Sequence, residues 1–213
     1  MLFWVLSNFP NLKSVIINDI NEDLINSYRT IKNNTSELIA ILERYEYEYH
    51  YLSNNEYKKK DYYYEKRKNF NERNSDKVIQ TALFIFLNRT CFNGLYRVNR
   101  KNKFNVSIGS YKKPMICDKD NLLAVSDFLK RVTILSGDFE QTIDYADSDT
   151  VFYFDPPYKP LSATSSFNSY SQDEFNDDEQ KRLKYFCDEL NSKGYKWILS
   201  NSDVKKNDND NFF

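Results

Sequence analysis

The hydrophobic residues of this sequence follow two patterns: short apolar runs, and stretches in which apolar side chains recur every three or four positions. Short apolar runs are typical of buried strands. Such runs occupy residues 14–18, 132–135, 150–154 and 195–199. Helical spacing predicts one helix after Asn21, which supplies an N-terminal signal, and another for which Thr35 is the expected cap. Further helices are expected over residues 78–87, 120–130 and 177–190.

Residues 43–73 have a different composition, which is rich in Tyr, Lys, Glu and Asn and has few aliphatic side chains. We interpret this segment as helical but peripheral, an insertion outside the core. Elsewhere, strands alternate with helices, which predicts an α/β fold with a mostly parallel sheet. Ligands of such sheets bind at the carboxyl ends of the strands. Four polar residues fall at these ends: Asp19, Asp138, Asp155 and Asn201.

Composition narrows the class of protein. A chain of 213 residues fits one domain or a domain with an insertion, and its net charge of −1 requires any nucleic-acid contact to come from a local basic surface. A single histidine, His50, argues against histidine-dependent catalysis, and no metal site is expected. The three cysteines form neither a paired disulfide set nor a zinc motif, which favours a cytoplasmic location. No apolar run reaches the roughly 18 residues of a membrane span.

Basic residues are concentrated in residues 88–113, which contain seven Lys and Arg and no acidic residue. Aromatic side chains lie among them, and residues 99–102 have the composition of a turn between two extended arms. The segment therefore predicts a basic, aromatic hairpin suited to nucleic acid. The alternative is an ordinary solvated loop.

The most specific motif is Asp155-Pro156-Pro157-Tyr158, directly after the strand-like residues 150–154. Two prolines fix the backbone and remove two amide donors. The Asp155 carboxylate and the Pro156 carbonyl could accept the two hydrogens of an adenine amine, which localises the nitrogen lone pair for attack on the methyl group of S-adenosylmethionine. Tyr158 would stack on a base flipped out of the duplex. A plain surface turn is the alternative, although the preceding apolar strand disfavours it.

With these motifs the chain resembles the Dam-like adenine-N6 DNA methyltransferases, the D12 class, which includes restriction-modification enzymes. The resemblance covers most of the chain in the family's order and is weakest over residues 43–73. It is carried by residues 18–21, 92–109, 137–139 and 154–170. The resemblance implies a Rossmann-like catalytic core over residues 1–33 and 132–213, with a helical and hairpin DNA-recognition insertion over residues 34–131.

The resemblance also implies roles for individual residues. In the cofactor site for S-adenosylmethionine, Asp19 would hold the ribose hydroxyls, Ile20 would lie against the adenine, and Asp138 and Phe139 would contact that adenine, with Asp155 nearby. Without the resemblance, an acid that ends a strand is as often a solvent-facing cap.

The resemblance implies double-stranded DNA as the partner, and the hairpin suggests a target of GATC type. Arg97 would contact a guanine edge in the bidentate manner, Leu95 would wedge beside the flipped base, and Phe92 and Asn93 would support the opened duplex. Other hairpin residues would contact the DNA, including its phosphates: Arg89, Asn99, Asn105 and Lys112.

The family's glycine-rich cofactor loop and the strand before it are not found here, because the only glycines are Gly94, Gly109, Gly137 and Gly194. Two hypotheses follow: a methyltransferase whose sequence is incomplete, or a truncated or split relative that binds DNA without catalysis. If the chain is a truncated or split relative, its expected partner is a complementing N-terminal segment that carries the glycine-rich loop. An RNA or protein methyltransferase with the same motif is a third, weaker alternative.

Overall fold

The computed structural model of the chain describes residues 1–52, 54–158 and 175–201. The helices of this part are α1 (Leu2–Asn8), α2 (Glu22–Asn33), α3 (Thr35–Tyr51), α4 (Glu56–Glu72), α5 (Lys77–Thr90), α6 (Lys119–Leu129) and α7 (Asp177–Ser192). The strands are β1 (Val15–Asp19), β2 (Val132–Ser136), β3 (Val151–Phe154) and β4 (Lys196–Leu199). Short 3₁₀ helices lie at Phe92–Gly94 and Phe139–Tyr145. The mixed α/β composition predicted from the sequence is therefore confirmed.

The chain divides into two compact units, Met1–Asp138 and Phe139–Phe213. In the first unit, β1 pairs in parallel with β2 in a register that brings Asp19 opposite Ser136. In the second unit, β3 pairs in parallel with β4. Parallel pairing aligns the carboxyl ends of both strands in each pair, as expected from the sequence.

The strands are less buried than their apolar sequences predict. All five residues of β1 are half-buried. In β3, Val151 is 57% and Tyr153 40% exposed, whereas Phe152 is buried against Phe186 and Leu190 of α7. Successive side chains of a strand point to opposite faces. Within the described residues α7 covers only the face that carries Phe152, so the prediction of a fully buried strand is wrong.

The two predicted caps have different outcomes. The Asn21 side chain accepts hydrogen bonds from the backbone amides of Asp23 and Leu24 at 3.0 and 3.2 Å, which confirms it as the cap of α2. Thr35 is instead the first residue of α3, and its hydroxyl donates to the Ile31 carbonyl and contacts the Ser126 hydroxyl. The expectation that Thr35 caps this helix is wrong, because its hydroxyl bonds back to the preceding helix.

Residues 43–51 and 56–72 are helical as predicted, but the prediction that the segment 43–73 is peripheral is wrong. Tyr45, Tyr49, Tyr63 and Phe70 are at most 5% exposed and belong to the main hydrophobic core. Tyrosine buries a large apolar ring when its hydroxyl finds a partner. The Tyr63 hydroxyl, for example, donates to the Val106 carbonyl at 2.9 Å. Aromatic rings thus replace the missing aliphatic residues.

The cysteines have a structural character. Cys91 and Cys187 are buried, all three cysteines are free thiols, and burial raises the pKa of Cys91, Cys117 and Cys187 to about 11. Thiols with a raised pKa are poor nucleophiles at neutral pH. They therefore supply no reactive group to a candidate site.

Candidate functional site

The tip of β3 carries the motif Asp155-Pro156-Pro157-Tyr158, in the strand context that the sequence predicts. The Phe154 carbonyl accepts a hydrogen bond from the Ser200 backbone amide at 2.8 Å, so β3 and β4 stay paired up to the motif. Asp155 is exposed, Pro156 is half-buried, and Tyr158 is 52% exposed. The acid is thus accessible at the carboxyl end of a parallel strand pair.

The buried side-chain amide of Gln180 hydrogen-bonds to the turn of the motif. Gln180 in the first turn of α7 is 2% exposed, and its Nε2 donates to the Pro157 carbonyl at 3.2 Å. Its Oε1 accepts from Asn201 Nδ2 at 2.9 Å. The Tyr158 hydroxyl and Ser200 Oγ are 2.5 Å apart. The motif is therefore fixed by side chains from α7 and from the end of β4.

Sequence reasoning missed Gln180, although one signal was present. Gln180 occupies the same buried face of α7 as Leu183, Cys187 and Leu190. A polar residue on an apolar helix face requires a buried hydrogen-bond partner. The spacing could therefore have indicated that Gln180 needs a partner, but only the structure identifies that partner as the Pro157 carbonyl.

Two acceptors of the motif stay accessible to a ligand. Within the described part of the chain, no donor hydrogen-bonds to the Asp155 carboxylate or to the Pro156 carbonyl. The adjacent Pro157 carbonyl is already bonded to Gln180. The Asp155 carboxylate and the Pro156 carbonyl therefore have no donor among the described residues, and the expectation that they accept the two hydrogens of an amino group stays a prediction.

In the first unit, Asp19 and Asp138 lie at one edge of the β1–β2 pair, as the strand order predicts. The Gly137 amide donates to the Asp19 carbonyl at 3.1 Å. Asn18 Nδ2 donates to the carbonyls of Gly137 and Asp138 at 2.9 and 3.1 Å. Ile20, beside them, is 56% exposed. Asn18, to which the sequence assigned no individual role, thus connects the two strand ends.

The electrostatics of Asp19 suit a ligand with hydroxyl groups. Burial raises the pKa of the Asp19 carboxyl, and the backbone amides of Asn21 and Ile20 offset part of that effect. Asp19 Oδ1 accepts from the Asn21 amide at 2.7 Å. A partly desolvated carboxylate gains from further donors. The ribose hydroxyls of S-adenosylmethionine are such donors, so this edge fits the cofactor predicted from the sequence.

Substitution Asp19→Ala is expected to weaken binding of S-adenosylmethionine by about ten- to a hundredfold, because a hydrogen bond to a charged group contributes roughly 1.5–3 kcal/mol. Isothermal titration of the cofactor against both proteins measures this change. DNA affinity serves as the control and should stay the same. Unchanged cofactor affinity would remove Asp19 from the cofactor site.

Phe139 belongs to the second unit and has a packing role there. Its ring lies 5.5 Å from the ring of Phe186, and the guanidinium carbon of Arg182 lies 4.5 Å from its centroid. The Arg182 guanidinium also pairs with Glu140 and Glu179 at 2.9 and 2.8 Å. The contact of Phe139 with a cofactor adenine stays a prediction.

The basic segment 88–113 forms a hairpin-like loop held by two isolated antiparallel bridges, Cys91 to Ile108 and Val98 to Phe104. The predicted turn is confirmed: the Asn99 side chain accepts from the amides of Lys101 and Lys103 at 2.9 and 3.1 Å. The two arms contain no regular strand, but they bond to each other through the Phe92 amide to the Ser107 carbonyl and the Asn105 amide to the Arg97 carbonyl, at 2.8 and 3.2 Å. The main chain of the returning arm also bonds to side chains of α4.

Close packing at the base of this loop requires a glycine. A Cβ on Gly109 would lie 2.7 Å from the Cys91 carbonyl oxygen and 2.9 Å from the Tyr111 ring. The Gly109 amide also donates to the Thr90 carbonyl at 2.8 Å. Gly109 thus lets the returning arm approach the end of α5.

The predicted DNA contacts occupy several positions on this loop. Phe92 is 56% exposed, and Asn93, with φ of 53°, is exposed in the same 3₁₀ turn. Leu95 is half-buried against the main core. Arg97 Nε donates to Asn105 Oδ1 at 2.8 Å. The remaining predicted contacts are exposed: Arg89, Asn99, Asn105 and Lys112.

Parallel strand pairs, the Asp-Pro-Pro-Tyr motif at the tip of β3 and a basic loop are the features on which the resemblance to adenine-N6 DNA methyltransferases rests. A family model described as D12 class N6 adenine-specific DNA methyltransferase matches residues 1–212. The chain belongs to this family, which confirms the resemblance seen in its motifs. The family block at residues 154–170 lies partly outside the described residues.

Named relatives agree with this family. The chain is 50% identical over 204 residues to "Type II methyltransferase M.MjaIII" of Methanocaldococcus jannaschii, covering 95% of this chain and 70% of that protein. It is 40% identical to "Type II methyltransferase M1.LlaDCHI" of Lactococcus lactis subsp. cremoris, covering 89% and 66% respectively. It is 32% identical to "DNA adenine methylase" of Escherichia coli, covering 89% and 65%. The chain thus spans roughly two thirds of the length of these relatives.

No helix in residues 1–52, 54–158 and 175–201 is both long and apolar enough to cross a membrane. The same residues contain no group of three or more His, Cys, Asp and Glu side chains placed to hold a metal ion.

Proposed function

We propose that this chain transfers the methyl group of S-adenosylmethionine to the exocyclic N6 amine of adenine in duplex DNA. The observation that carries the proposal is the accessible acceptor pair of Asp155 and Pro156, at the tip of a strand and supported by Gln180. Membership of the D12 family supports adenine as the target. The names of the type II relatives favour a restriction-modification role.

The proposed mechanism is direct transfer. The Asp155 carboxylate and the Pro156 carbonyl accept the hydrogens of the target amine, which localises the nitrogen lone pair. S-adenosylmethionine supplies an electrophilic methyl group on a sulfonium. As the nitrogen–carbon bond formed, the carbon–sulfur bond would break, S-adenosylhomocysteine would leave, and the Asp155 carboxylate would accept the proton that the amine loses. The protein would position the amine and stabilise its developing positive charge, so no covalent intermediate with the protein is needed. The exposed ring of Tyr158 is proposed to stack on the flipped base.

The cofactor is proposed to bind at the carboxyl ends of the strands of a Rossmann-like core. Asp19 would hold the ribose hydroxyls, exposed Ile20 would cover the adenine, and Asp138 and Phe139 would contact its edge. The half-buried carboxylate of Asp19 supports this assignment, because its desolvation is relieved by hydroxyl donors. We retain residues 34–131 as the proposed DNA-recognition insertion.

DNA recognition is proposed to use the basic loop of residues 88–113. With Nε bonded to Asn105, Arg97 can present its two terminal nitrogens to a base edge, where guanine offers two acceptors. GATC is the proposed recognition site in double-stranded DNA. The cytoplasm is the proposed location of the protein. Arg89 and Lys112, both exposed, would contact phosphates.

The alternative is a relative that binds DNA without catalysing the transfer alone. Incubation of the purified chain with methyl-labelled S-adenosylmethionine and duplex DNA distinguishes the two. The proposal predicts N6-methyladenine as the only labelled nucleoside, with no label in a duplex of G·C pairs alone. DNA binding without transfer would favour the alternative. Label in cytosine would refute the adenine assignment.

A further inference from the structure

One face of α4 presents a regular row of polar side chains toward the basic loop. Lys59, Tyr63, Arg67 and Asn71 are spaced by four residues and therefore share one helix face. Lys59 and Tyr63 are buried, and the other two are half-buried. Charged and polar residues on a helix normally face solvent. Their burial indicates that this row has partners.

The partners are main-chain groups in the returning arm of the loop. Lys59 Nζ donates to the carbonyls of Tyr111 and Lys112 at 2.5 and 3.1 Å. The Tyr63 hydroxyl and Arg67 Nη1 both donate to the Val106 carbonyl, at 2.9 and 3.1 Å.

Asn71 bonds to the arm in both directions. Its Nδ2 donates to the Phe104 carbonyl at 3.0 Å, and its Oδ1 accepts from the Phe104 amide at 2.7 Å. A neighbouring strand residue would form the same two bonds. Phe104 and Val106 are only 2% and 3% exposed, so their main-chain groups need such partners. The helix therefore replaces a missing sheet partner of the arm.

The contact at Asn71 extends to Arg97 through the hairpin. Phe104 forms the antiparallel bridge with Val98, the residue after Arg97. Asn105, the residue after Phe104, donates its amide to the Arg97 carbonyl at 3.2 Å and accepts from Arg97 Nε at 2.8 Å. Asn71 thus holds the main chain of Phe104, the residue directly before the asparagine that contacts this guanidinium.

We propose that Asn71 is a positioning residue for DNA sequence discrimination, and that α4 is a structural part of the recognition surface. This inference rests on the proposed function, because it assumes that Arg97 contacts a base edge. Asn71 itself need not touch DNA. Its loss should affect discrimination at one base pair far more than general affinity for DNA.

The test compares Asn71→Ala and Asn71→Asp with the wild type in competition binding. The full chain first selects its preferred duplex from a random-sequence library, and affinities are then measured for that duplex and for each variant with one base pair replaced. Asn71→Asp keeps the acceptor for the Phe104 amide but loses the donor, which guards against a variant that fails to fold. Asn74→Ala, an exposed asparagine just beyond α4, is the matched control.

At one base pair, we expect the ratio of affinities for the preferred and the substituted duplex to fall about fivefold or more in both Asn71 variants. A bidentate contact to a base typically makes this ratio roughly five- to a hundredfold. Nonspecific affinity should change less than twofold, and Asn74→Ala should match the wild type. Full discrimination in both variants, or an equal loss for every duplex, would overturn the inference. A wild type that selects no sequence would also overturn it. If the wild type binds DNA selectively but transfers no methyl group, the proposed catalysis is refuted, whereas the inference on Asn71 is still decided by the binding data.

Discussion

Substitution Asp155→Ala is expected to reduce methyl transfer by about 10²–10³-fold or more while DNA affinity stays within a few-fold of the wild type. Removal of one group that stabilises charge in a transition state typically costs this much. Asp155 is exposed at the end of β3, so its removal should leave the fold intact. Single-turnover transfer to duplex DNA and an anisotropy titration measure the two effects.

The matched control for this experiment is Asp149→Ala. Asp149 is another exposed carboxylate, just before the opposite end of the same strand. Its removal changes the net charge by the same amount and should leave transfer unaffected. Parallel losses of transfer and DNA affinity in Asp155→Ala would contradict the assigned role, since they would indicate a contact used for binding rather than for chemistry.

Substitution Gln180→Leu is expected to lower kcat by about ten- to a hundredfold with little change in KM for DNA. The leucine fills a similar volume but cannot donate to the Pro157 carbonyl or accept from Asn201. Misplacement of reacting groups by about 1 Å can cost roughly a hundredfold in rate. Steady-state kinetics over a range of DNA concentrations separate kcat from KM.

Stability must be separated from positioning in this variant, because loss of a partner for buried polar groups costs roughly 1–3 kcal/mol. Leu183→Ala offers the comparison: Leu183 is 2% exposed on the same face of α7 and makes no hydrogen bond to the motif. Gln180→Glu keeps an acceptor for Asn201 but not the donor to Pro157, so it should lose kcat as Gln180→Leu does. If kcat follows thermal stability across all three variants, Gln180 has no specific positioning role.

Local patterns predicted the parts of the fold that depend on local chemistry. The four strands have apolar sequences that end in polar residues, and parallel pairing then brings Asp19 and Asp138 to one edge. The turn around Asn99 was also predictable, because its side chain bonds to the backbone two and four residues later.

The parts that were not predictable depend on distant partners. The row at Lys59, Tyr63, Arg67 and Asn71 has the composition of a solvated helix face, and its partners are main-chain carbonyls 33 to 53 residues away. Backbone acceptors leave no trace in a sequence pattern. The low aliphatic content of residues 43–73 concealed a core made of tyrosine rings for the same reason, since hydroxyl partners such as the Val106 carbonyl are nonlocal.

The most direct test of the central claim is a double-mutant cycle between Asp155 and the target amine. Affinities of wild type and Asp155→Ala are measured for a duplex with adenine at the methylated position and for one with purine, which lacks the amine. Purine weakens the base pair equally for both proteins, so the difference between the two affinity ratios isolates the contact. We predict that wild type favours adenine over purine about two- to fivefold relative to Asp155→Ala, as for a hydrogen bond of roughly 0.5–1 kcal/mol, the rest of the effect of Asp155 being on the rate of transfer. Identical ratios in the two proteins would show that Asp155 does not hold the amine, and would contradict the account.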